Sequence, residues 1–388
     1  MERRKFIQVG TVIAASTLVS FVAKKEFLDK DDEGSKRDNY TSFSQPILKA
    51  IAMGLNAPSA HNTQPWKFKI LSDTEALVYI DETKLLLESD PPTRQIHISG
   101  GCFLEALAIG CTGIGFEAII SLLPETNYCI SDIGKKPIAT IKLTENKIQT
   151  KHPLWEYIFQ RRMNRSVYKG EIISDMEFAK IMEATDIQYS KAIFINKSDD
   201  MAQYRSIFKE ANQVESYKLA TNEETRRMFR FSDKAAAIKR DGVTFRGNGI
   251  KGFKKFLAET FTKDTKEGWN SKLMIDKGLE NFNKGLDSSK GFVMFITTEN
   301  NFLSQIQHGR DMYRFCLALT KYGFFMHPLN QANEEYKEME THKLALEKLV
   351  GVKGDEKIQI IARIGRGEEP YRSYRKHVND FLVKKIVN

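Results

Sequence analysis

Apolar positions along this chain change period several times, and each change marks an element. Ile47, Ile51 and Leu55 recur at four-residue spacing, one face of a helix. Strand-like stretches follow at Phe68 and Ile70, then at Leu77-Val78-Tyr79-Ile80. Helical spacing returns over residues 98–109, and residues 138–143 read as a strand. The second half repeats this order, with a strand over 291–296, a helix over 306–317 and a strand over 358–364. The helices open at Gly101 and Gly309 and close at Gly115-Phe116 and Gly323-Phe324, fourteen residues on in both cases. The first glycine suits close helix packing and the last a helix C-cap. Pro124 or Pro328 then follows. Helix, glycine and strand twice in one order predict a diverged internal repeat.

Two stretches break the pattern and carry chemistry. Residues 57–68 hold Pro58, Ser59, His61, Asn62, Gln64, Pro65 and Trp66 between a helix and a strand. Polar loops held between rigid elements are the usual place for binding groups. Arg161, Arg162 and Arg165 lie within five residues, after the apolar step 154–159. Their planar forks suit phosphate oxygens, and a solvated helix C-terminus is the plainer reading.

The ends narrow the compartment and the partners. Met1-Glu2-Arg3-Arg4-Lys5-Phe6-Ile7 precedes an apolar run of thirteen residues, 11–23, then Lys24-Lys25. A spanning helix needs about 20 residues. Residues 1–25 therefore resemble a twin-arginine export signal, cleaved or retained as an anchor, and imply the twin-arginine export machinery as a partner. A periplasmic or cell-envelope location is expected. Residues 26–42 are charged and polar and read as a solvated linker. The formal charge is +9, of which residues 1–25 contribute +4. The remaining +5 lacks a basic face interleaved with aromatics, so nucleic-acid binding is not expected. Cys102, Cys111, Cys129 and Cys316 have no metal-ligand spacing, nor do His97, His308, His327 and His342. Buried thiols are expected, with a disulfide left open, and no metal.

Pro58-Ser59-x-x-Asn62-x-Gln64-Pro65-Trp66 resembles the flavin-contacting loop of the nitroreductase family. Arg161-Arg162-Met163-x-Arg165, followed by Tyr168, resembles that family's Arg-Arg-Ser-x-Arg motif, with Met163 in place of Ser. Asp90-Pro91-Pro92-Thr93-Arg94 resembles a step in the single-chain, Acg-like branch. Arg363-Ile364-Gly365 and Tyr374-Arg375-Lys376-His377-Val378 are similar to its closing motif. The resemblance implies an α+β, nitroreductase-like fold in which residues 43–150 and 151–388 are two diverged halves. These would form a monomeric pseudo-dimer around one flavin site.

Residues 200–290 have no counterpart in the minimal fold and read as an inserted helical lid or a surface decoration. Gly247-Asn248-Gly249 lacks the Lys-Ser/Thr of a phosphate loop. The resemblance implies FMN as cofactor, contacted by Ser59, His61, Asn62, Gln64, Arg94, Arg161, Arg162, Asn164, Arg165, Arg372 and Arg375. His61 would exchange a proton near the flavin or brace its own loop. The segment Leu329-Asn330-Gln331 would pass the isoalloxazine, with a backbone N–H at the catalytic position Asn330 meeting N5. The implied activity is an exported FMN-dependent oxidoreductase passing hydride between a small donor and a small acceptor. The alternative is an FMN-binding or FMN-storing protein without nicotinamide-driven turnover.

Overall fold

A computed structural model describes residues 36–148 and 150–383. The leader expected over residues 1–25, and residues 26–35 of the expected linker, lie outside the described residues. The first half runs α1 (Pro46–Gly54), β1 (Trp66–Ile70), β2 (Glu75–Ile80), α2 (Arg94–Thr112), β3 (Phe116–Leu122) and β4 (Ala139–Glu145). The second runs α3 (Asp175–Thr185) and β5 (Lys191–Ile195), then an insertion. The insertion holds α4 (Ser198–Tyr217), α5 (Leu219–Met228), β6 (Phe229–Arg230), α6 (Asp233–Lys239) and β7 (Val243–Thr244). It ends with α7 (Gly252–Phe261), α8 (Lys266–Trp269) and α9 (Lys272–Asp287). The half resumes with β8 (Phe292–Thr297), α10 (Phe302–Lys321), β9 (Phe325–Pro328), α11 (Glu340–Val350) and β10 (Lys357–Gly365).

The repeat is visible in the topology. One sheet has the order β1-β2-β4-β3 and the other β5-β8-β10-β9, and every pairing in both is antiparallel. Each sheet thus joins two strands, a long helix and two more strands in the same spatial order. The insertion falls between the first two strands of the second copy. β3 and β9 escape the apolar-period reading because they are short or half-exposed. β3 alternates half-buried and exposed positions, and its Phe116, Ala118, Ile120 and Leu122 carried that signal.

The long helices α2 and α10 cross at the two repeat glycines. A Cβ on Gly101 would strike the Ile306 carbonyl, and one on Gly309 would strike the Ile98 carbonyl and fall 2.8 Å from the Gly101 Cα. Ile98 and Ile306 each stand three residues before their glycine, so the contact is reciprocal, as between copies related by a two-fold axis. Buried charge sews the same helices together. Glu105 of α2 accepts from Arg310 Nε and Arg314 Nη1 of α10, both at 2.7 Å. Asp311 pairs with Arg314 and accepts from the backbone of Gln188 and Tyr189.

Residues 36–42 are not a linker. Lys36 is fully buried, Arg37 Nη1 donates to Asn56 Oδ1 at 2.6 Å, and Tyr40 stacks on Phe159. Asp38 accepts from the Val378 backbone and contacts the His377 ring. These partners hold the segment on the domain despite its polar composition. The insertion is likewise part of the fold: Phe208 of α4 packs edge-on against Phe292 of β8. Cys102, Cys111 and Cys316 are buried, Cys129 is exposed, and all four are free.

Candidate functional site

The C-terminal end of α1 gathers arginines from three distant parts of the chain. Arg375 donates from Nε to Leu55 O and from Nη2 to Ala57 O, both at 3.0 Å. Arg161 Nη2 donates to Asn56 O at 3.0 Å, and Arg37 reaches Asn56 Oδ1 and Ser373 O. A helix C-terminus attracts cations through its dipole, equivalent to about half a negative charge. That is too little for three guanidinia. Every acceptor named here is uncharged, and Arg161 Nε and Nη1 and Arg37 Nε are buried with no partner. Burial, then the Arg161 and Arg372 charges, hold Arg375 down to about 9. Arg37 is lowered by burial, then by Arg375, Arg372, Arg161 and Arg162. Buried like charges with idle donors suit an anion.

These residues line one pocket, together with Pro58, Ser59, Asn62, Met163, Arg165, Tyr371 and, from the insertion, Ala236, Asp241 to Thr244 and Gly247. The loop that shapes it is strained. His61, Asn62 and Gln64 have φ of 46°, 55° and 54°, left-handed values that side chains rarely adopt. Hydrogen bonds hold Asn62 and Gln64 there. Asn62 Oδ1 accepts from Arg375 Nη1 at 2.6 Å, and its Nδ2 donates to Gly242 O and Tyr374 O. Gln64 Nε2 donates to Arg240 O while its Oε1 accepts from Lys376 N. Trp66, buried between Phe103 and Phe381, anchors the loop's far end. The insertion therefore touches the loop directly. Asp241, the one carboxylate among the pocket-lining residues, is held by Arg230 Nε and Nη2 at 2.9 and 2.5 Å.

Of the residues expected from sequence, Ser59, Asn62, Arg161, Arg162, Arg165 and Arg375 line this pocket. Arg372 sits close enough to lower the pKa of both Arg37 and Arg375. Arg162 donates to Phe159 O and Gln160 O and faces Glu369 at 3.6 Å. Five others lie outside the pocket lining. Arg94 is spent on the second sheet, pairing with Glu335 and donating to Asn333 O and Gln359 O. Asn164 braces its own turn through Ser166 N and Glu368 O. Leu329, Asn330 and Gln331 do not line the pocket. The Leu329 N–H is taken by Ile361 O, and the Asn330 side chain accepts from Ile361 N, against β10. Gln64 and His61 shape the loop rather than line the pocket. Arg37, Tyr371, Ser373 and the insertion residues were not found from sequence. Arg37 stood in a stretch whose charge read as solvated.

His61 gives a pH prediction. Burial, then the Arg165 charge, lowers its pKa from 6.5 to about 4. Between those values the unfolded chain binds more protons than the folded one, so stability falls as pH drops from 6.5 towards 4. The variant His61→Asn keeps a residue tolerant of positive φ and should lose less melting temperature over that interval than the wild type. Identical pH slopes would mean that the folded imidazole is solvated.

Among the described residues no group of side chains suits a metal ion. No protein-family model matches the chain. A stretch of 162 residues is 22% identical to the uncharacterised protein Rv3127 of Mycobacterium tuberculosis (strain ATCC 25618 / H37Rv), covering 36% of this chain and 47% of that one. Another, of 81 residues, is 27% identical to the putative NAD(P)H nitroreductase acg of the same strain, covering 21% and 24%. The chain thus matches less than half the length of these relatives. An FMN and NADPH-dependent nitroreductase, NfnB from Sphigopyxis sp. strain HMH, superposes partially, with a TM-score of 0.40, 10% identity and coverage of 60% of this chain and 98% of that one. The chain is thus similar over part of its length to a putative nitroreductase, and its Pro58-to-Trp66 loop resembles the flavin-contacting loop of that family.

Proposed function

We propose that the chain binds one FMN in the arginine pocket and works as an FMN-dependent oxidoreductase of the nitroreductase kind. The observation that carries this is the buried guanidinium group whose acceptors are all uncharged and whose Arg161 Nε and Nη1 have no partner. A phosphate is the group such a site fits. Arg161, Arg375 and Arg37 would hold it, Ser59 and Asn62 would close the pocket from the first half, and Arg165 would add positive charge beside the ring. When bound, FMN supplies hydride chemistry at N5, between a small donor and a small acceptor. The twice-repeated sheet order and the reciprocal glycine crossing support a single-chain pseudo-dimer, with a site drawing on both halves.

The test is an absorbance spectrum of the purified protein, quantification of acid-released flavin, then anaerobic titration with NADPH. About one FMN per chain is expected. None after reconstitution, or two, would end this reading. A second reading, flavin binding without nicotinamide-driven turnover, is favoured by one observation: the Leu329 N–H and the Asn330 side chain are both committed to Ile361 of β10. Bound flavin that NADPH fails to reduce would select it.

We also propose export through the twin-arginine route, on the order Arg3-Arg4-Lys5-Phe6-Ile7. Arg3→Lys with Arg4→Lys should leave a folded protein in the cytoplasm. Fractionation that finds unchanged export would remove the claim.

A further inference from the structure

α7 is turned inside out for a surface helix. Ordinarily the apolar stripe faces the core and the charges face water. Here Lys255 is the buried residue, ion-paired with Asp233 and with Glu259 one turn on. Phe253, Leu257 and Phe261 repeat at four-residue spacing along one stripe. Phe253 is 48% and Phe261 73% exposed. Thr262 contacts Met274 of α9, and Leu273 beside it in sequence is 67% exposed. Phe253 stacks on Phe256, so the stripe is an ordered face.

Most of the unpaired charge near the stripe is positive, with Glu267 the exception. Lys254 and Lys263 flank it and Lys266 opens α8, while Lys234 and Lys239 lie on α6, which meets α7 on its Lys255–Glu259 side. None of these five lysines forms an ion pair among the described residues, and all are exposed. Of the nearby acids, Glu259 faces Lys255 and Asp264 is held by Arg226 at 2.6 Å. Aromatic and aliphatic side chains flanked by idle lysines match the boundary of an anionic bilayer, where rings enter the headgroup layer and ammonium groups meet lipid phosphates. A protein partner with an apolar groove would leave those lysines unmatched unless it were acidic. Among the described residues no helix is long and apolar enough to cross a membrane, so this face would rest on the surface.

We infer that α7, with Lys254 and Lys263 beside the stripe, docks the chain on an anionic membrane surface through Phe253 and Phe261. The inference is independent of flavin binding.

Flotation of the full chain with vesicles tests it, using phosphatidylcholine alone and phosphatidylcholine with phosphatidylglycerol. The expected result is flotation with the anionic vesicles, weakened roughly tenfold by F253S together with F261S and by K254E together with K263E. Residues 1–25 are basic and apolar and could bind lipid by themselves. Amide hydrogen exchange therefore serves as the second readout: anionic vesicles should slow exchange over residues 252–261. Equal flotation with phosphatidylcholine alone, or exchange over 252–261 that vesicles leave unchanged, overturns the inference. So does binding that ignores both double variants.

Discussion

Arg161→Ala should weaken FMN binding roughly 10- to 100-fold while leaving the unliganded protein no less stable. The loss reflects one charge-assisted contact, worth about 1.5–3 kcal/mol. The second half of the expectation separates a ligand site from a structural one. In the unliganded chain Arg161 depresses both Arg375 and Arg37, and two of its nitrogens are buried and idle. Removing it relieves like-charge repulsion and forfeits one bond to Asn56 O. An arginine that merely capped α1 would behave in the opposite way, lowering the melting temperature and leaving flavin affinity intact. Flavin fluorescence titration and thermal melting of the flavin-free protein decide between them. Arg161→Lys should fall between, since it keeps the charge and loses the fork.

Gly101→Ala is expected to destabilise the protein by roughly 3 kcal/mol, at the upper end for an overpacked site. The added methyl meets the Ile306 carbonyl, which is backbone and cannot rotate away as a side chain would. The helices would have to part, straining the Glu105 pairs with Arg310 and Arg314. Gly309→Ala should cost a similar amount, because the contact is reciprocal. Gly115 and Gly323 differ: a Cβ there meets nothing within 4 Å, and any cost comes only from φ of 80° and 73°. Denaturant melts of the four variants should rank the crossing pair well above the capping pair. A mild Gly101→Ala would show that α2 and α10 are free to slide.

The fold was legible wherever one periodic signal dominated. Apolar residues placed α2, α10, β2, β8 and β10, and the equal glycine spacing gave the repeat. β9, four residues long, is too short for a period to register. For the site, the loop motif and the arginine motif were readable because each is local. Arg37 was not, because its neighbours are polar and its partner, Asn56, is nineteen residues away. Arg94 misled for the converse reason. Its neighbours in sequence suggested the motif, but its side chain is claimed by Glu335, far along the chain. Nothing in the insertion's composition showed that Gly242 would bond the Asn62 loop in both directions.

The position of Lys36 also limits how the chain can be trimmed. Its carbonyl accepts the Arg375 N–H at 3.0 Å, its ammonium lies 4.5 Å from the Tyr371 ring centroid, and the next residue lines the pocket. Any maturation cut that spares the pocket must therefore fall before residue 36. A purification tag joined at that boundary would begin at the rim of the ligand site, so a recombinant version intended for binding work is better tagged elsewhere.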